Sequence, residues 1–189
     1  MNLHAMKPST QHIDMFPAAW LERQQRRAQS DVPEVWDMLD QVKDPEVPAL
    51  SLWDLGVLCD IEKKADGKLI VTITPTYSGC PAMEAMRQDI DKVLHQAGFV
   101  ECEIKTQLSP AWSTDWMSPQ GKEQLRAFGI APPMPCTHKH DLPAPEGGMA
   151  CPHCQSENTQ LVSEFGSTAC KALYKCQDCY EPFDYFKAI

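Results

Sequence analysis

Apolar residues recur at helical spacing in "DVPEVWDMLDQV", where Val35, Met38, Leu39 and Val42 fall on one face. Asp31 is expected to cap that helix, and Pro33 falls in its first turn, where a missing N–H costs nothing. The period then breaks at "KDPEVPALSLWDLG", whose prolines and closing Gly56 predict a turn-rich loop. Strand patterns take over in "VLCDIE" and "LIVTITP", joined by "KKADGK", in which Asp66-Gly67 is a hairpin signal. From Pro81 the helical period returns. Met83, Met86, Ile90, Val93, Leu94 and Ala97 form one stripe that Gly98 closes, and the two methionines read as core packing. "FVECEIKTQL" alternates as a third strand, and Ser118-Pro119 opens a last helix that ends near Gly129.

The order α-β-β-α-β-α predicts an α+β domain over residues 31–130, a small mixed sheet with helices on one face. Residues 1–30 read as an N-terminal leader. Within it "AAWLERQQRRAQS" is expected to be helical, with Trp20 and Leu21 as its main apolar residues. Arg23, Arg26 and Arg27 make it basic, and a solvated arm is expected rather than a docked helix. Residues 131–149, opening with "APPMPCTHKHDLPAPEGG", form a proline-rich linker, and residues 150–189 form a small cysteine-rich domain.

The chain has 189 residues, room for one ordinary domain and an appendage. A net charge of -9 argues against gripping nucleic acid or an anionic membrane by charge. No apolar run approaches the roughly 18 residues of a membrane span. The N-terminus lacks the basic-then-apolar pattern of a secretory signal, so a cytoplasmic protein is expected. Nine cysteines is an odd number, and in a reducing cytosol clustered cysteines point to metal or redox chemistry rather than disulfides.

The strongest chemical pattern is the pair "CPHC" and "CQDC". Cys151, Cys154, Cys176 and Cys179 supply four thiolates in two Cys-x-x-Cys turns, the demand of a closed, structural zinc site. A tail so short has little core of its own, so the metal would supply much of its folding energy. Four thiolates also suit iron, in a rubredoxin-like or iron–sulfur centre. His153 and Cys170 are close enough in sequence to substitute for a ligand; Cys170 is otherwise a spare thiol, as well suited to filling core as to touching a metal. Cys136, His138 and His140 in the linker could hold a second ion, but fall short of closed coordination.

Cys80, in "TPTYSGCPAMEAM", is the other candidate. If Pro81 is the first helical residue, Cys80 stands at the N-cap, where the helix dipole favours thiolate over thiol. Gly79 allows a sharp turn, and Thr74, Thr76, Tyr77 and Ser78 bring hydroxyls to the loop. No histidine or second cysteine accompanies it in the motif, so the residues alone favour a buried small side chain. Cys59 and Cys102 sit in strands and read as packing. Asp44-Pro45-Glu46 is an acidic turn of either kind.

"DPEVPALSLWDLGVL", "TPTYSGCPAMEAM" and "LSPAWSTDWMSPQGKEQLRAFGIAPP" together resemble the metal–sulfur cluster assembly (SufT-like) domain family, which includes a component of the eukaryotic cytosolic iron–sulfur targeting complex. The cysteine-rich tail resembles the subgroup that accompanies the phenylacetyl-CoA 1,2-epoxidase, the ring-epoxidising monooxygenase of aerobic phenylacetate degradation. The likeness runs from about Val32 to Ile189 and leaves the leader outside. It places the family's acidic motif on Asp44, Pro45 and Glu46, and its reactive cysteine on Cys80, in a setting that begins at Thr76 or Thr74. It implies transient binding of iron or an iron–sulfur cluster at Cys80, with Asp44 and Glu46 orienting or ligating. One cysteine cannot hold a cluster, so other ligands would come from a second protomer in a homodimer, from the client or from the tail.

The role this implies is maturation of the epoxidase reductase or oxygenase, the reductase favoured, in concert with iron–sulfur assembly machinery. The sequence shows no phosphate loop, dinucleotide fingerprint or nucleophile with a visible base, so a protein that is not itself an enzyme is expected. Two other classes compete. One is a non-catalytic scaffold subunit that docks through its zinc tail. The other is a zinc-ribbon regulator that binds nucleic acid, against which stand the acidic balance and the few tail lysines, Lys171, Lys175 and Lys187.

Overall fold

The computed structural model describes residues 16–134 and 149–188, so Cys136, His138 and His140 lie outside the described residues. Helix α1 (Ala18–Ala28) is followed by α2 (Pro33–Leu39) and a four-residue α3 (Leu52–Leu55). The first sheet has the order β1-β2-β3. Strand β1 (Leu58–Lys63) runs antiparallel to β2 (Leu69–Ile73), which runs parallel to β3 (Cys102–Thr106). The crossover between the parallel pair is α4 (Met83–Gln96), as such a connection requires. The mixed α+β sheet expected from the patterns is therefore present. Every second residue of β2 (Leu69, Val71, Ile73) packs with Met86, Ile90 and Leu94 of α4 and with Val35, Trp36 and Leu39 of α2.

Three local expectations are corrected. Val32, not Asp31, stands at the cap of α2, and no side chain caps that helix. The stretch taken as loop contains α3, whose Ser51 cap accepts the Asp54 N–H and which buries Leu52, Trp53 and Leu55. Gly56 ends α3 at φ +87°, where a Cβ would lie 2.9 Å from the Trp116 Cβ; only glycine fits both the turn and the neighbour.

The third correction concerns the leader. Its helix forms, but docked rather than solvated. Trp20 and Arg23 are buried, the Trp20 and Trp53 ring centroids lie 5.4 Å apart, and Trp53 meets Trp36 edge-on at 5.2 Å. The Arg23 guanidinium lies 4.2 Å from the Trp53 centroid and donates to the carbonyls of Trp53, Leu58 and Trp116. Burial pulls its pKa down to about 10, so it stays charged at neutral pH and the three carbonyls and the indole face take the place of water. Arg27 completes the seam with ion pairs to Asp37 (2.9 Å) of α2 and to Asp40 (2.6 Å) at its C-cap.

The chain then passes through α5 (Pro119–Ala127), capped by Ser118, which accepts the Gly121 N–H and donates to the Asp54 carboxylate. Strand β4 (Ile130–Ala131) leaves the first domain and joins the second sheet, whose order is β4-β7-β6-β5. Strands β5 (Thr159–Ser163), β6 (Lys171–Cys176) and β7 (Pro182–Phe186) form an antiparallel ribbon, and β4 pairs with β7 in parallel. The ribbon has its own small core, of Ala131, Met149, Ala172, Tyr174 and Phe183 beside the buried cysteines. Cys170 and Phe186, by contrast, belong to the large core of the first domain. Among the described residues no helix is long and apolar enough to cross a membrane.

Candidate functional site

Two cysteine sites emerge, one closed and one open. In the closed one, the sulfurs of Cys151, Cys154, Cys176 and Cys179 all lie within 4.8 Å of one another. Cys151 and Cys179 are 3.8 Å apart, and Cys154 and Cys176 3.6 Å. Four sulfurs bound ~2.3 Å from a tetrahedral ion stand roughly 3.8 Å apart, so the donor set fits one metal without rearrangement. Each knuckle ends the same way: Gln155 after Cys154 and Tyr180 after Cys179 both take φ +64°, in the left-handed region. The N–H groups of Cys179 and Asp178 point at the Cys176 sulfur, and these hydrogen bonds hold its thiol down at about 7. His153 is not in the group; its ring lies against Gly129.

The open site is built from the loop between β2 and α4. Cys80 is not the N-cap expected. Helix α4 starts at Met83 with Ala82 as its cap, and Cys80 instead sits in a turn closed by its own N–H to the Tyr77 carbonyl at 3.1 Å. Its thiol is accordingly not activated by a helix end. Burial pushes the pKa up, opposed by the Ala82 N–H and reinforced by the charges of Glu46 and Asp44. A thiol in this setting is protonated at neutral pH.

Cys80 lines a small cavity together with Asp44, Glu46, Thr76 and Cys170, over an apolar wall that includes Val57, Met86 and Phe186. Asp44 is only 6 % exposed, and its Oδ1 accepts the N–H groups of Glu46 and Val47, each at 2.8 Å. Its carboxylate thus pins the acidic turn. Thr76 is buried three residues beyond the end of β2, and Cys80 and Glu46 are half-buried. All four residues drawn from the assembly-domain pattern therefore meet in one place.

Cys170, which the sequence left open between filling core and touching a metal, is buried in the large core. It is not part of the four-cysteine group, but faces the Cys80 cavity from the ribbon. Its sulfur lies 3.0 Å from the Thr168 hydroxyl, and the Lys187 N–H donates to its carbonyl at 2.9 Å. Burial raises its thiol, as it raises that of Cys59 to about 11 and that of Cys102. No sequence signal links positions 80 and 170; the link is made by β4 pairing with β7.

Two stretches of the chain match known protein families. Residues 33–104 match the iron–sulfur cluster assembly protein family, and residues 135–187 match the PaaD zinc beta ribbon domain. The molecule is thus an iron–sulfur-assembly-type α+β domain joined to a metal-binding ribbon. An Escherichia coli (strain K12) protein named as one of the subunits of 1,2-phenylacetyl-CoA epoxidase is 48 % identical over 86 % of this chain and 96 % of its own length. The chain belongs to the family of this epoxidase subunit, the PaaD family. A Porphyromonas gingivalis protein named as an Fe-S protein maturation auxiliary factor is 35 % identical over 47 % of this chain and 84 % of its own. A crystal structure of a domain of unknown function (DUF59) from Bacillus anthracis superposes with a TM-score of 0.47 at 25 % identity, over 56 % of this chain and 95 % of that one.

Proposed function

We propose that this protein is an accessory factor, not an enzyme, that matures the phenylacetyl-CoA epoxidase of aerobic phenylacetate degradation in the cytoplasm. Its cargo is iron or an iron–sulfur cluster, received from assembly machinery and passed to the reductase or oxygenase component, with the reductase the favoured client. The observation that carries this reading is the meeting of Cys80, Asp44, Glu46 and Thr76 at one half-open cavity. Thiolate and carboxylate together suit a borderline divalent cation. A thiol held protonated by burial binds such a cargo by losing a proton and releases it by regaining one, which suits transient holding better than a standing thiolate would. Relatives named for the epoxidase and for Fe-S maturation support the same assignment.

The four-cysteine site is a zinc site with a structural task, since closed tetrahedral sulfur coordination leaves no open position for cargo. The domain division follows the chemistry: residues 31–130 present the cargo loops, residues 150–189 the structural metal, and the leader helix braces the first against α2.

The deciding experiment co-produces the reductase with wild type or Cys80→Ser and counts iron and acid-labile sulfide in the purified reductase. Cofactor content should fall with the variant to the level reached with no factor at all. Full content with Cys80→Ser would instead favour a scaffold that docks through the ribbon. That second reading draws on the exposed apolar side chains of Leu161, Val162 and Phe165 on and beside β5, the edge strand.

A further inference from the structure

The turn from α4 into β3 gathers a further set of donors, apart from both cysteine sites. Asp91 and His95 stand at i and i+4 toward the end of α4, so they share one face of that helix. Gly98, at φ +90°, reverses the chain, and Cys102 opens β3 beside that face. We propose that Asp91, His95 and Cys102 are the three protein ligands of a solvent-facing site for one borderline divalent cation, of the zinc(II), cobalt(II) or iron(II) class. The site is independent of the cargo reading of Cys80.

The distances fit one ion. The Cys102 sulfur lies 3.5 Å from Asp91 Oδ1, His95 Nδ1 lies 3.1 Å from Asp91 Oδ2, and the three donors all stand within 4.8 Å of one another. Around a tetrahedral ion with bonds of ~2.3 Å to sulfur and ~2.0 Å to nitrogen and oxygen, a sulfur–oxygen pair stands roughly 3.5 Å apart and a nitrogen–oxygen pair roughly 3.3 Å. Asp91 is exposed, so a small turn of its carboxylate presents either oxygen. The donors also select the chemistry: thiolate, imidazole and carboxylate together suit the borderline cations over magnesium and calcium, which take oxygen.

The surroundings hold the donors together. Cys102, read from its strand position as packing, is only half-buried, and its thiol donates to the α4 carboxylate. Backbone bonds fix both sides: the Phe99 N–H donates to the Leu94 carbonyl at the helix end, and the Leu69 N–H to the Glu101 carbonyl beside Cys102, each at 3.0 Å. His95 Nδ1 faces two acceptors, Asp91 Oδ2 and the Asp91 carbonyl at 2.9 Å, and so carries a proton. A cation takes the place of that proton and of the Cys102 thiol proton, and its two charges meet one thiolate and one carboxylate. Since Asp91 and His95 are exposed, a fourth position faces solvent, open to water or to a donor brought by another molecule.

The test is an anaerobic cobalt(II) titration of the full-length, zinc-loaded protein after dialysis against a weak chelator, which strips a three-donor surface site and leaves the closed four-thiolate one occupied. It is run in Cys80→Ser, so that cobalt at the cargo cavity does not contribute. That protein should take up one cobalt per chain and develop thiolate-to-cobalt charge-transfer absorption, with the ribbon zinc still present at the end point. Adding Cys102→Ser should abolish the absorption. Adding His95→Ala or Asp91→Asn should keep it at saturation but weaken binding at least roughly tenfold. The three positions are exposed or half-buried, so these variants should fold, which unchanged thermal unfolding verifies. No cobalt taken up by Cys80→Ser, or absorption that survives Cys102→Ser, would overturn the site and leave an ordinary helix ion pair beside a packed thiol. Neither result touches the Cys80 reading, which the cofactor content of the reductase decides.

Discussion

Phe186, at the end of β7, packs its ring against Trp112 of the first domain, with centroids 5.9 Å apart and planes tilted by 57°. The last strand of the ribbon is thus anchored in the large core, and Phe186 itself is 2 % exposed. Together with β4, which leaves one domain and pairs in the other, this contact makes the ribbon part of the fold rather than a tethered appendage.

Phe186→Ala tests that coupling. Truncating a buried phenylalanine costs about 3–5 kcal/mol, through lost transfer energy and the cavity left behind. Denaturant unfolding followed by tryptophan fluorescence should shift by that amount. Wild type should unfold in one transition, and the variant in two if Phe186 is the main anchor.

Removing the structural metal should act across the same joint. Chelation, or Cys176→Ser, leaves the ribbon with a core of a handful of side chains, too small to stand alone. Far-UV circular dichroism should lose the ribbon strands, and bulk metal analysis should fall from one ion per chain, zinc on the proposed reading, to none. Cys80→Ser should leave that zinc in place, since Cys80 is outside the four-cysteine group.

Arg23 is expected to be the costliest polar residue to replace. Arg23→Met keeps the apolar stem but removes a charged donor from three carbonyls, and such bonds contribute ~1.5–3 kcal/mol each before partial recovery by water. A net loss of roughly 2–4 kcal/mol is predicted, with α1 detaching and Trp20 and Trp53 emission moving to the red. Arg23→Lys should not rescue it, because an ammonium cannot fan out to three acceptors while lying flat on an indole.

What was legible in the sequence divides by range. Helix stripes such as Met86–Ile90–Leu94, the Asp66-Gly67 hairpin and the two Cys-x-x-Cys turns are local patterns, and each appears in the fold as expected. The docking of α1 was not legible, because its burial depends on Trp53, thirty residues away, offering an aromatic face to a charge that composition marks as solvated. The condition that would have put Cys80 at a helix N-cap fails for a local reason. Pro81 and Ala82 form a turn instead of the first helical residues, and that displacement separates the sulfur from the helix end. For Cys170 the sequence left core filling and metal contact equally open, and the fold buries it in the large core, outside the four-cysteine group.

Asp44 and Glu46 should separate cleanly, although the acidic motif presents them as a pair. The Oδ1 of Asp44 serves the backbone of its own turn, a task an amide oxygen performs equally well. Asp44→Asn should therefore fold and deliver cargo nearly as wild type does. Asp44→Ala leaves two N–H groups without an acceptor in a buried turn and should cost about 1–3 kcal/mol. Its effect on the reductase would follow from a loosened Glu46, and stabilising conditions should restore part of it. Glu46→Gln removes only the charge that faces the cavity, so stability should hold while reductase iron content falls. Equal losses for Asp44→Asn and Glu46→Gln at unchanged stability would mean that both carboxylates act on the cargo directly, and the division into a turn-holder and a ligand would be wrong.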